Sequence, residues 1–127
     1  MEPTERPPEW YRETYPLLFE RLLARDRDLD ERHQQAWEWA KKAADLLKDS
    51  FSAHRVVIFG SLTNRKLFHI SSDIDIAAWG IPTERYFAAV GAVTALVKGF
   101  EVDLITPDTS KIGHALHEAI EREGIEI

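Results

Sequence analysis

The chain of 127 residues contains no cysteine. Disulfides and thiolate-held zinc are therefore excluded at the outset. It also lacks an excess of base. The formal net charge is −6, and the imbalance is spread along the chain. Residues 1–54 carry 12 acids and 9 bases, and residues 55–127 carry 10 acids and 7 bases. Neither half has the basic surface of a protein that grips nucleic acid non-specifically, so no direct nucleic-acid partner is expected. No apolar run approaches the length of a membrane span, and Met-Glu-Pro-Thr-Glu at the start does not read as a signal peptide. The expectation is a cytoplasmic protein with no membrane role. With 44% hydrophobic and 30% charged residues, the composition is that of one globular domain rather than a disordered chain.

What is present divides at Arg55. Before it the pattern is helical. Pro3, Pro7 and Pro8 mark a short extended tail, and Tyr11, Tyr15, Leu18 and Leu22 recur at helical spacing from about Glu9 to Asp26. Pro16 implies a kink there, or a start one turn later. A second helix is expected from Asp28 to about Ser50, with Leu29, His33, Ala36, Trp37, Ala40, Ala44, Leu47 and Phe51 on one stripe. The chain accordingly divides into an N-terminal tail and helical extension, 1–28, and a domain, 29–127.

After Arg55 the period shortens. Val56–Phe59 looks like a strand buried on both faces. Asp73–Trp79 and Phe100–Ile105 read as two more strands, and Ile125–Ile127 as a last short one. Gly80-Ile81-Pro82 is a turn, and Thr83 a candidate N-cap for a helix to about Lys98. Thr106-Pro107-Asp108 is read as the cap of a final helix that presents Ile112, Leu116, Ala119 and Ile120 and ends at Gly124. The order gives an α+β fold, a small mixed sheet with helices expected on one side.

The chemistry is concentrated in three places. Gly60-Ser61 ends the first strand, and eleven residues separate it from Asp73-Ile74-Asp75. Asp103 lies in the third strand. Residues two apart on a strand share a face, so Asp73 and Asp75 project together. If the second and third strands are neighbours, Asp103 joins them. Three carboxylates in one place are destabilising without a cation, and oxygen-only ligands favour Mg²⁺ or Mn²⁺. Two such ions can clamp an in-line phosphoryl displacement. Gly60 allows close backbone approach, and Ser61 would open a helix whose N–H groups favour phosphate. Arg65 and Lys66 follow closely enough to reach a triphosphate. His114 and His117, one turn apart, have no third ligand and read as surface or packing. Trp37, Trp39 and Trp79 read as core or interface.

Three segments, Val57-Ile58-Phe59-Gly60-Ser61, Ser72-Asp73-Ile74-Asp75-Ile76 and Glu101-Val102-Asp103-Leu104-Ile105, together resemble the polymerase-beta-type nucleotidyltransferases. In particular the set is similar to the minimal nucleotidyltransferases of prokaryotes. The resemblance covers about residues 40–127. It implies a nucleotidyltransferase fold and Mg²⁺-dependent transfer of AMP from ATP to a hydroxyl. Gly60 and Ser61 would hold triphosphate, with Arg65 and Lys66 nearby. Asp73 and Asp75 would ligate metal, and Asp103 would share a metal and help deprotonate the acceptor. Many relatives have a glycine where this chain reads Leu62-Thr63-Asn64-Arg65-Lys66. The partner that the resemblance implies is a HEPN-domain toxin, silenced by AMPylation of a tyrosine, by binding, or by both. Two alternatives remain open at this point: a non-catalytic antitoxin of the same fold, and a small-molecule nucleotidyltransferase working as a homodimer.

Overall fold

A computed structural model of the chain describes residues 6–127. Pro3 and the rest of the expected tail before Arg6 lie outside the described residues. Two helices come first, α1 (Pro8–Thr14) and α2 (Pro16–Ser50). Both begin with proline, whose fixed φ and missing N–H suit the first position of a helix. Tyr15, between them, is driven out of the helical region to φ −133° and ψ 69° by the proline that follows.

The break expected near residues 26–28 is absent. From Leu17 to Ser50 the chain has neither glycine nor proline, and α2 runs 35 residues without interruption, about 52 Å at 1.5 Å per residue. Asp26 and Asp28 are exposed charges on its surface rather than caps. The boundary expected at residue 28 thus falls inside one helix.

The sheet follows. Strands β1 (Arg55–Phe59), β2 (Ile74–Trp79), β3 (Val102–Ile105) and β4 (Ile125–Glu126) lie in the order β3-β2-β1-β4. β1 pairs antiparallel with β2 and β4, and β2 pairs parallel with β3. The parallel pair requires a crossover, supplied by α3 (Tyr86–Leu96). Thr83 does not cap it. A 3₁₀ turn, Thr83–Arg85, leads into α3 with no side-chain capping bond.

Helices cover both faces of the sheet, not one. Val56, Ile58, Ile74, Ile76, Ala78 and Leu104 point into the main core under α2 and α3. Val57 and Ala77 point the other way and pack with Ile120 of α4 (His114–Glu123). α4 starts later than expected because Thr106–Ser110 is a turn. The Ser110 amide donates to Thr106 O at 2.8 Å, and the Thr109 hydroxyl is 2.9 Å from that of buried Thr106. Gly124 ends α4, as expected. Among the described residues no helix is long and apolar enough to cross a membrane.

Candidate functional site

β1 ends at Phe59, and Gly60 turns the chain with φ +76°, a conformation open to glycine at little cost. Space is the second reason for glycine. A Cβ built there would collide with Oδ2 of Asp75 and stand 3.2 Å from its Cγ. The antiparallel register places Phe59 opposite Asp75, so the turn packs directly on that carboxylate. Ser61 lies in a single 3₁₀ turn, Gly60–Thr63, held by the Thr63 hydroxyl donating to Gly60 O at 2.8 Å. The expected helix is therefore one turn long, and its aligned dipole is correspondingly small.

Asp73 stands just before β2. It is presented by a tight turn in which the His69 amide donates to the buried Ser72 hydroxyl at 2.9 Å. The Ile74 amide then donates to Glu101 O at 2.9 Å, fixing β2 beside β3. In that parallel register Asp75 faces Asp103. The Asp103 carboxyl acts on that of Asp75 across the pair, and Asp73 adds its charge. Burial first, then the charges of Asp103 and Asp73, push the Asp75 carboxyl up to about 6 from an ordinary 3.8. The structure thus gathers the three aspartates singled out in the sequence at one end of the sheet.

Two clefts flank them. One, of about 480 Å³, is lined by Gly60, Ser61, Thr63, Asn64, Leu67 and Glu123. The other, of about 540 Å³, is lined by Arg32, Ser71, Ser72, Asp73, Gly99, Phe100 and Glu101. Arg65 lines neither. Its Nε is paired with Asp30 of α2, and its guanidinium also reaches Asp26 O at 3.5 Å. Lys66 is exposed, its amide donating to Asn64 Oδ1 at 3.0 Å. Trp37 and Trp39 pack at the edge of the main core, and Trp79 lies under the Arg55 guanidinium at 4.3 Å. His114 is almost fully exposed and 3.9 Å from Glu118.

The residue that sequence reasoning missed is Arg32. Its guanidinium lies 4.1 Å over the Phe100 ring and donates to Gly99 O at 2.8 Å. Its Nε is buried with no partner among the described residues. It stands one turn before Ala36 on α2, and nothing in the sequence shows that this part of the helix meets the loop before β3.

A hard divalent cation suits this donor set in chemistry: oxygen only, triply negative, with one carboxyl already forced toward its proton. Among the described residues, however, no group of three or more His, Asp or Glu side chains is placed to hold an ion. Asp75 and Asp103 stand opposite each other in the parallel register. In this state Asp75 should make stability fall with pH. Below about pH 4 it is protonated in folded and unfolded chains alike. Between about 4 and 6 the unfolded chain releases the proton first, so stability drops, and above 6 the loss is constant. Asp75→Asn should remove that slope and stabilise the metal-free protein at pH 7 by on the order of 1 kcal/mol, after discounting for its partial exposure. Urea unfolding from pH 4 to 7 checks this. An unchanged slope in the variant would refute it.

No family model matches the sequence, and no curated protein matches it. Solved structures do match in fold. A toxin–antitoxin complex with AMP-PNP aligns at TM-score 0.56 and 21% identity, over 68% of this chain and 70% of the other. A toxin–antitoxin MntA–HepT structure aligns at TM-score 0.52 and 18% identity, over 71% and 69%. A tri-AMPylated Shewanella oneidensis HEPN toxin in complex with its MNT antitoxin aligns at 0.53 and 18%, over 72% and 70%. At these identities the likeness establishes the fold: an α+β nucleotidyltransferase fold, a four-stranded mixed sheet flanked by helices.

Proposed function

We propose that this chain is a minimal nucleotidyltransferase that transfers AMP from ATP to a tyrosine hydroxyl of a HEPN-type toxin and so acts as its antitoxin. The observation that carries the reading is the pairing of Asp75 with Asp103 across β2 and β3, with Gly60 packed against the same carboxylate. A fold alone does not require it. Support comes from the structural neighbours, one holding AMP-PNP and one a tri-AMPylated HEPN toxin.

In this reading Gly60 and Ser61 receive the triphosphate in the cleft they line. Asp73, Asp75 and Asp103 would hold Mg²⁺, as two ions, which supplies charge neutralisation on the phosphates and on the leaving group. The acceptor oxygen attacks the α-phosphorus. A new P–O bond forms, the α–β anhydride bond breaks, and pyrophosphate leaves. The hydroxyl proton passes to Asp103, whose exposed position on β3 leaves it open to the acceptor. The work would be done in the cytoplasm, and the nucleotide and the toxin are the expected partners.

A second reading, an antitoxin that acts by binding alone, is favoured by two details. Arg65 is tied to α2, and Glu123 places a negative charge in the Gly60–Ser61 cleft. One experiment separates the readings: incubation with labelled ATP, Mg²⁺ and the HEPN-type protein from the same genome, followed by mass spectrometry of that protein. Transfer should add AMP to a tyrosine. An unmodified protein in a stable complex would leave the binding reading in its place.

A further inference from the structure

The face of α2 that packs on the sheet does not stop where the sheet stops. Ala36, Ala40, Ala43 and Leu47 are buried at intervals of three and four residues. The same intervals, carried back along the helix, pass through Arg32, Leu29, Arg25, Leu22 and Leu18, which therefore continue the same face, with the arginines toward one edge of it. Leu29 still packs on the edge of the main core. Beyond it Leu22 is 44% exposed and Leu18 47%, and neither belongs to a core cluster among the described residues. A groove of about 420 Å³ follows at Leu29, lined by Arg25, Asp28, Leu29, Arg32 and Ile70. Ile70 is 75% exposed. Arg32 lines both this groove and the cleft at Asp73, so the two adjoin at that side chain.

We infer that this stripe is the docking surface for the protein that carries the acceptor hydroxyl, and that the docking segment is an amphipathic helix with an acidic flank. The word acceptor rests on the transfer reading above; the surface itself does not. Position is the first argument. A segment seated on Leu18, Leu22 and Leu29 meets Arg32 and ends beside Asp73, where a hydroxyl has to arrive. Tethering of this kind raises the local concentration of the acceptor without any change in the site.

Charge is the second argument. Arg21, Arg25 and Arg32 form one edge of the stripe with Asp28 among them, and Asp26 stands beside Leu22 on the other side. None of the three arginines forms an ion pair among the described residues. On a chain of net charge −6 that basic edge calls for carboxylates opposite. A second copy fits less well. Two such helices paired antiparallel about a two-fold axis set arginine edge against arginine edge, and like charges in an interface are repelled.

The test uses the full chain with the HEPN-type protein from the same genome. Leu18→Glu/Leu22→Glu and, separately, Arg25→Glu alter exposed positions. Phe87→Glu on α3, at a residue 84% exposed, is the control. The stripe variants should weaken the complex roughly tenfold or more by calorimetry. Where AMP is transferred, they should raise the acceptor KM with ATP affinity unchanged, and the control should alter neither. If the wild type binds without transferring, the transfer reading fails, and weaker binding by the stripe variants still supports the surface. Equal binding by the variants, loss of binding by the control alone, or no complex at all overturns the inference. So does a wild-type dimer that the stripe variants convert to monomer while the complex is unaffected.

Discussion

If the chain transfers AMP as proposed, replacing Asp103 by alanine is expected to lower that transfer by about two to four orders of magnitude, since it would remove the proposed metal ligand and proton acceptor together. Affinity for Mg²⁺-ATP should change much less, because Asp73 and Asp75 remain. A second signature follows from the register. Burial is the larger cause of the raised Asp75 carboxyl and Asp103 the next, so without Asp103 it should fall only part of the way from about 6. Single-turnover rates, calorimetry and titration of Asp75 by NMR check the three parts. Turnover near that of the wild type would remove Asp103 from the mechanism.

Gly60→Ala should be nearly as damaging, by a different route. A methyl group at this position has to coexist with Oδ2 of Asp75, and an L-residue has to accept φ +76°. The backbone strain is about 1–2 kcal/mol, before the steric conflict is counted. Relief means moving Asp75 or the turn. A displacement of about 1 Å at a catalytic group can cost a hundredfold in rate. The expected result is a folded protein, destabilised by about 2–3 kcal/mol, with transfer reduced at least about a hundredfold. Urea unfolding and label transfer, measured side by side, give both numbers. A variant with normal activity would show that the turn and the carboxylate are not coupled.

The three aspartates and the Gly-Ser turn were legible in the sequence because strands impose a period of two and a fixed order. Asp75 could only share a face with Asp73, and Asp103 needed only a neighbouring strand to meet it. The parallel pairing of β2 and β3 supplied that neighbour. Sidedness is legible too, against the expectation of helices on one side. Val56, Val57 and Ile58 form an unbroken apolar run, and such a strand needs cover on both faces. α4 provides the second cover through Ile120. Helix ends were less legible. Asp26 and Asp28 have the composition of a boundary, but composition does not end a helix that lacks glycine and proline. Thr106 looked like a cap, yet its hydroxyl is spent within a turn. Arg32 and the true surroundings of Arg65 were out of reach, since both depend on which loops meet α2 in three dimensions.

One continuous α2 makes direction a matter of counting. A helix turns 100° per residue, and the fifteen positions from Leu22 to Ala36 contain no joint that could absorb an error. Inserting or deleting a single residue there would leave composition, charge and hydrophobicity nearly unchanged, yet swing the leucines more than a quarter-turn relative to the three aspartates. Point substitutions along this stretch should therefore be tolerated far better than changes in its length. The number of residues, rather than their identity, aims the outer half of the helix.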